Sequence, residues 1–319
     1  MNITNYTKDT DMHDLYSIYT KVKDTLSSVA KEYFVYGENS RFYPHKPKMS
    51  DLSVVSLAIT AESLEISSES LLWSKLKTDY ADEFSDLPHR ATFNRRRKQL
   101  RDLILQCTDK MACAITSQTG DEELVIDSMP IPTCKIIRES RSKACRRPEH
   151  DAVLAKKGFN KILGGYFIGY KMHLITTTSG VYRDLLITSG NEHDSIFLKL
   201  LSKDDNHLRD HTLFGDRGYI GKVVQLRLYD ELKLDLDVPY KINQKDFKEY
   251  CLDKKLKRRT IEVIFSQYCD EFNIRKNYAK RFNGFDIRIV TKIAAKTFKQ
   301  YWNYIHGRPI NQTKHALAA

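Results

Sequence analysis

The chain has no run of about 18 consecutive apolar residues, which excludes a membrane-spanning helix by the usual length argument. Its opening, Met1-Asn2-Ile3-Thr4-Asn5-Tyr6, lacks the basic-then-apolar pattern of a secretory leader, so a cytoplasmic protein without a membrane partner is expected. It has no C-x-x-C pair. The six cysteines (Cys107, Cys113, Cys134, Cys145, Cys251 and Cys269) lack the close spacing of a structural zinc site and are read as buried free thiols. No internal repeat and no low-complexity segment is evident. Acidic charge is also in deficit: 41 Asp and Glu face 52 Lys and Arg, a net charge of +11. The surplus is local, because residues 241–319 hold 18 basic against 7 acidic residues. A concentrated basic surplus favours a polyanionic partner, nucleic acid first. What is present suits a folded protein: 319 residues, 41% hydrophobic and 11% aromatic, enough for one large domain and a smaller one.

The first third reads as helical. Leu15, Ile18, Tyr19 and Val22 recur at helical spacing within residues 1–35. Ser50 can cap a helix beginning at Asp51, and a second helix covers Leu71 to Leu76. A third, from about Pro88, carries one apolar stripe through Phe93, Leu100, Ile104, Cys107 and Met111. Its other faces carry Arg90, Arg95, Arg96, Arg97, Lys98 and Arg101. This is a plausible helix-turn-helix-like module, with Arg95, Arg96 and Arg97 as candidate DNA contacts.

The periodicity changes at Glu122. Leu124-Val125-Ile126-Asp127 is a short strand that ends in an acid and turns through Pro130 and Pro132. Residues 135–161 form a basic excursion without period. Gly165 to Thr177 and Val181 to Ser189 read as a hairpin, and Asp194 as a candidate N-cap of the helix that follows. Thr212-Leu213-Phe214 runs into Gly215-Asp216-Arg217-Gly218-Tyr219, the signature of a buried strand that delivers one carboxylate at its C-terminal edge, where sites of open α/β sheets lie. A helix from Lys222 to Leu232, a strand at Leu234 to Val238 and a helix from Leu252 to Phe272 follow. Three strands in a meander and then β/α alternation imply an α/β fold: a mixed five-stranded sheet flanked by helices. The domains are therefore 1–118, a helical N-terminal domain; 119–305, the sheet domain with its excursion; and 306–319, a helical C-terminal tail. The spacing of Gly215, Gly218 and Gly221 is G-x-x-G-x-x-G, which excludes a dinucleotide fingerprint.

The third acidic candidate is Glu262, on a largely apolar helix. Burying it calls for a partner or a cation, and Arg258, four residues earlier, could be a simple ion-pair partner. Asp127, Asp216 and Glu262 in this order resemble the acidic triad of the DDE transposases and integrases, which share the ribonuclease H-like fold. The segments Val125–Pro132, Gly169–Leu174, Gly190–Asp194, Gly215–Tyr219 and Arg258–Ser266 narrow the resemblance to bacterial insertion-sequence transposases of the IS4/IS5 superclass, nearest the IS982-type group. One departure is visible. Where many relatives carry Tyr, Arg, Glu and Lys along the last helix, Arg258 and Glu262 match, but Lys255 and Cys269 occupy the outer positions.

The resemblance implies a metal-dependent phosphoryl transfer on DNA. Asp127, Asp216 and Glu262 would hold two Mg²⁺ ions, with Mn²⁺ as a substitute, because hard cations take carboxylate oxygens. Water would nick the element end, and the freed 3′-hydroxyl would attack target DNA. Arg258 and Arg259 would hold phosphates, with Lys171 and Arg217 as weaker candidates. His193 and Asp194 could stand behind the metal ligands, although capping alone accounts for Asp194. Lys292, Lys296, Lys299, Phe298, Tyr301 and Trp302 suit a DNA track, or a core. A homodimer across two DNA ends is expected. A nuclease that cuts without joining, or a DNA-binding regulator without catalysis, is the alternative.

Overall fold

A computed structural model describes residues 14–120, 123–161, 163–240 and 249–317. The change of period at Glu122 and residues 1–13 of the expected N-terminal helical stretch lie outside them. The chain forms two compact units, one taking the chain up to Met111 and from Thr291 on, the other Ala112–Val290.

The first unit is helical. Asp14 caps α1 (Leu15–Val29) by accepting from the Ser17 N–H, and Ser50 caps α2 (Asp51–Ser63) by accepting from Ser53. All thirteen residues of α2 are buried. A helix apolar on every side belongs in a core, and its two charges are neutralised there. Asp51 pairs with Arg96 at 2.7 Å and also accepts from Tyr43 and Ser40, while Glu62 pairs with Lys292. The apolar stripe expected to be one helix is divided at Leu100 into α4 (Arg90–Gln99) and α5 (Arg101–Thr119). All five of its residues are buried. Ser68 caps α3 (Glu69–Thr78). Trp73 packs on Phe93 with ring centroids 4.8 Å apart, and its indole N–H reaches the Pro88 carbonyl. The last part of α9 (Phe282–Ile305) completes this unit. Beyond it the tail folds back in turns, with the Asn303 amide donating to the Pro309 and Gln312 carbonyls and one short helical turn at Thr313–His315.

The second unit is α/β, built on β1 (Glu123–Cys134), β2 (Lys156–Asn160), β3 (Gly165–Thr177), β4 (Tyr182–Ser189), β5 (Thr212–Phe214) and β6 (Asp235–Asp237). β3 lies antiparallel to β1 on one edge, and on its other edge pairs with β2 and then β4, end to end. β5 joins β1 in parallel, and β6 joins β5 in parallel. The expected five strands are thus six, the addition being β2 inside the basic excursion. That excursion is tied down. Tyr170 donates to the Val153 carbonyl at 2.9 Å, Cys145 N–H to the Lys280 carbonyl, and Asp151 accepts from Arg147 and Phe282 N–H. Its polar composition concealed bonds that its own backbone and Tyr170 supply.

β1 is longer than expected, because Pro130 and Pro132 lie inside it. The Glu123 carbonyl accepts from Thr178 N–H, so odd-numbered residues aim their backbone at β3 and even-numbered ones away. β5 covers only Glu123 to Val125, so the even positions beyond need no ladder partner and tolerate proline. Opposite Pro132 sits Gly169, at a register shift between Pro132 and Cys134. A Cβ there would lie 2.2 Å from the Ile131 carbonyl oxygen, so only glycine permits this approach.

Side chains alternate with the same parity. Leu124 and Ile126 enter a core with Phe197 and Leu198 of α6 (Ile196–Leu200) and Leu228 and Leu232 of α7 (Lys222–Leu232). Glu123 meets Lys257 of α8 (Leu252–Asp270) on the other face. Ile261, Ile264 and Tyr268 are the buried stripe of α8. Of the six free cysteines only Cys107 and Cys145 are buried, while Cys113 and Cys251 are exposed, which corrects the expectation of buried thiols. Among the described residues no helix is long and apolar enough to cross a membrane.

Candidate active site

Two carboxylates stand at neighbouring strand positions. Asp127 is on β1, three residues past Leu124, which pairs with Leu213; Asp216 follows β5 after Gly215. Both are half-buried. Asp216 caps a short turn, Arg217–Tyr219, its Oδ1 accepting from Gly218 N–H at 2.7 Å. Asp127 Oδ1 accepts from Ser128 N–H at 2.7 Å. Burial pushes the Asp127 carboxyl up to about 7; the Ser128 hydrogen bond and Arg258 oppose this, and the charges of Asp216 and Asp194 add to it. The two aspartates therefore repel across a shared space.

Tyr219 belongs to the same cluster. It is 1% exposed and its hydroxyl has no hydrogen-bond partner among the described residues. Burial, together with Asp127, Asp194 and Asp216, holds its pKa well above the ordinary value. Sequence reading passed over this residue; the signal available was an aromatic three residues after the acid, in a turn too short to bury it elsewhere.

Glu262 is exposed on α8, next to buried Ile261 and one turn beyond half-buried Arg258. Among the described residues no three His, Cys, Asp or Glu side chains are grouped so as to hold one metal ion. The structure thus brings the charge of Asp216 to bear on Asp127, while Glu262 lies exposed on α8. Oxygen donors on a repelling, part-buried pair fit a divalent cation, since a positive charge between them would remove the repulsion.

The basic candidates separate sharply. Arg217 and Arg259 are exposed. Lys171 is not free for a phosphate: its ammonium donates to the Glu192 carbonyl at 2.8 Å and to Asp194 at 2.9 Å. In the helical unit Arg95 is exposed, but Arg96 is engaged by Asp51, and Arg97 by Glu69 at 2.8 Å. The arginine run is therefore two structural cations and one exposed one, because positions 96 and 97 face α2 and α3. Lys292, Lys296 and Lys299 are buried, as is Phe298, so the C-terminal helix presents a core there rather than a DNA track. Asp194 does not cap α6: its N-cap is Ser195, with no side-chain cap bond, and His193 Nδ1 instead accepts from Ser195 N–H.

Neither a curated protein nor a solved structure matches the chain. A family model does: that of the transposase DDE domain matches residues 117–283. The match spans more than half of the chain and takes in both coupled aspartates, the strands that deliver them and the helix facing β1. The chain belongs to the transposase DDE-domain family.

Proposed function

We propose that the chain is the DNA transposase of a bacterial insertion sequence, nearest the IS982-type group of the IS4/IS5 superclass, cleaving DNA at element ends and joining the freed ends to target DNA. The observation that carries this is the placement of Asp127 on β1 and of Asp216 just beyond β5, the parallel strand beside it, in a chain of this family. The strand order β4-β3-β1-β5-β6, antiparallel up to β1 and parallel beyond it, supports a ribonuclease H-like fold.

Asp127 and Asp216 would hold the divalent cation, magnesium or manganese, and Glu262 would complete the set. Such an ion, when bound, supplies Lewis acidity toward the phosphodiester and acidifies the attacking water or 3′-hydroxyl. The chain's own residues orient and neutralise. Ser128 N–H fixes one oxygen of Asp127, and Gly218 N–H fixes one of Asp216, which sets the orientation of both carboxylates. Arg258, whose charge already acts on Asp127, is suited to one non-bridging oxygen, and exposed Arg217 and Arg259 to the flanking backbone. Two copies would act on two DNA ends.

The test is nicking of a duplex that carries the inverted repeats flanking the reading frame. Magnesium-dependent nicking is expected in the wild type and background in Asp216→Asn. Wild-type nicking by Asp216→Asn would overturn the reading. Joining of a pre-nicked 3′ end to a second duplex distinguishes a transposase from a nuclease.

A further inference from the structure

The loop after β4 delivers a carboxylate that the chemistry above leaves without a role. Asp194 Oδ1 accepts from two side chains, Ser128 Oγ–H at 2.6 Å and Lys171 Nζ at 2.9 Å. Ser128 follows Asp127 in the chain, and Asp194 lies 66 residues away in sequence. Ser128 therefore holds two acids at once: its N–H bonds Asp127 Oδ1 and its hydroxyl bonds Asp194. Lys171 in turn is anchored by the Glu192 carbonyl.

The other oxygen of Asp194 turns toward the second metal-binding candidate. A Cβ built on Gly218 would stand 2.9 Å from Asp216 Oδ1 and 3.7 Å from Asp194 Oδ2. The space that a Cβ on Gly218 would fill is thus bounded by both carboxylates. A solvated surface pair does not describe this arrangement, since the Lys171 side chain is 13% exposed and Asp194 30%. Burial raises the Asp194 pKa, but the hydrogen bonds from Ser128 and Lys171 outweigh it and keep the carboxyl ionised, below its ordinary value. His173, on the Ser128 face of the sheet, is buried and bonded to Thr188, and burial lowers its pKa to about 4, so it adds no competing charge at neutral pH.

We propose that Asp194 is a positioning residue of the active site: acting through Ser128 and braced by Lys171, it fixes the strand segment that presents Asp127 and so sets the affinity for the divalent cation. The inference rests on the reading of Asp127 and Asp216 as metal-binding residues. It adds an anionic support behind them, of the kind that orients ligands in other metal sites.

Three full-length proteins decide it: the wild type, Ser128→Ala and Asp194→Asn. Binding of Mn²⁺ alone is measured by calorimetry without DNA. The Mg²⁺ concentration for half-maximal nicking and the melting temperature are measured beside it. The expected result is Mn²⁺ binding weakened about tenfold in both variants, a matching rise in the Mg²⁺ requirement, recovery of nicking at saturating Mg²⁺, and a melting temperature near that of the wild type. Wild-type Mn²⁺ affinity in Ser128→Ala overturns the proposal, because charge alone would then account for Asp194. So does a lowered melting temperature with activity lost equally at every Mg²⁺ concentration, which marks a purely structural bond. A wild type that binds no Mn²⁺ removes the metal reading itself, a failure distinct from a wild type that binds and variants that bind as well.

Discussion

Asp127 carries a linkage that can be measured without substrate. Its folded carboxyl titrates at about 7, against about 3.9 for an unfolded aspartate. Between these values the folded state binds the extra proton, so stability falls as pH rises from 4 to 7, by about 4 kcal/mol at most. Thermal melts of the metal-free protein across that window should show the decline, and Asp127→Asn should flatten it. Arg96 is a second residue-scale case. Replacing it with alanine leaves Asp51 buried without its guanidinium, which costs about 3 kcal/mol. Hydrogen bonds from Tyr43 and Ser40 to the same carboxylate soften the loss without cancelling it. Denaturant melts of Arg96→Ala against the wild type would measure it.

At the scale of elements, α4 tests whether charge on a helix is function or structure. Arg95→Ala should leave the melt unchanged and weaken duplex binding, while Arg97→Ala should lower stability by freeing Glu69; parallel binding and melting curves separate the two. Much of this was legible in the sequence. The caps at Ser50, the stripe from Phe93 to Met111, the hairpin β3–β4 and the strand ending at Asp216 all follow from local period and composition. What the sequence concealed is non-local. Arg96 and Arg97 read as a solvated run until α2 and α3 supply Asp51 and Glu69. Lys292 and its neighbours read as a DNA track until Glu62 is found opposite. β1 seemed to end at Asp127 and turn through Pro130 and Pro132, because proline excludes a strand only where its N–H is needed, and which side of β1 stays unpaired depends on where β5 stops. Gly169→Ala, colliding with the Ile131 carbonyl, should cost about 2 kcal/mol or more, readable as a lowered melting temperature or loss of soluble protein.

For the whole molecule, the net charge of +11 predicts duplex binding that weakens steeply with salt, by about tenfold or more between 50 and 200 mM. Filter or anisotropy titrations at several salt concentrations would give the slope. Because several lysines of the last helix are buried, the slope should be shallower than the basic count of residues 241–319 suggests. The prolines of β1 carry a further consequence, for how the chain finds its fold. A strand that slips by one residue exchanges its two faces, and here that would send Asp127 into the α6–α7 core and Ser128 toward α8. The same slip would turn Pro130 and Pro132 toward β3, where each would break a rung of the ladder. The two prolines thus act as proofreaders of strand alignment: misthreaded intermediates are disfavoured, and the acid arrives on the side where it is wanted.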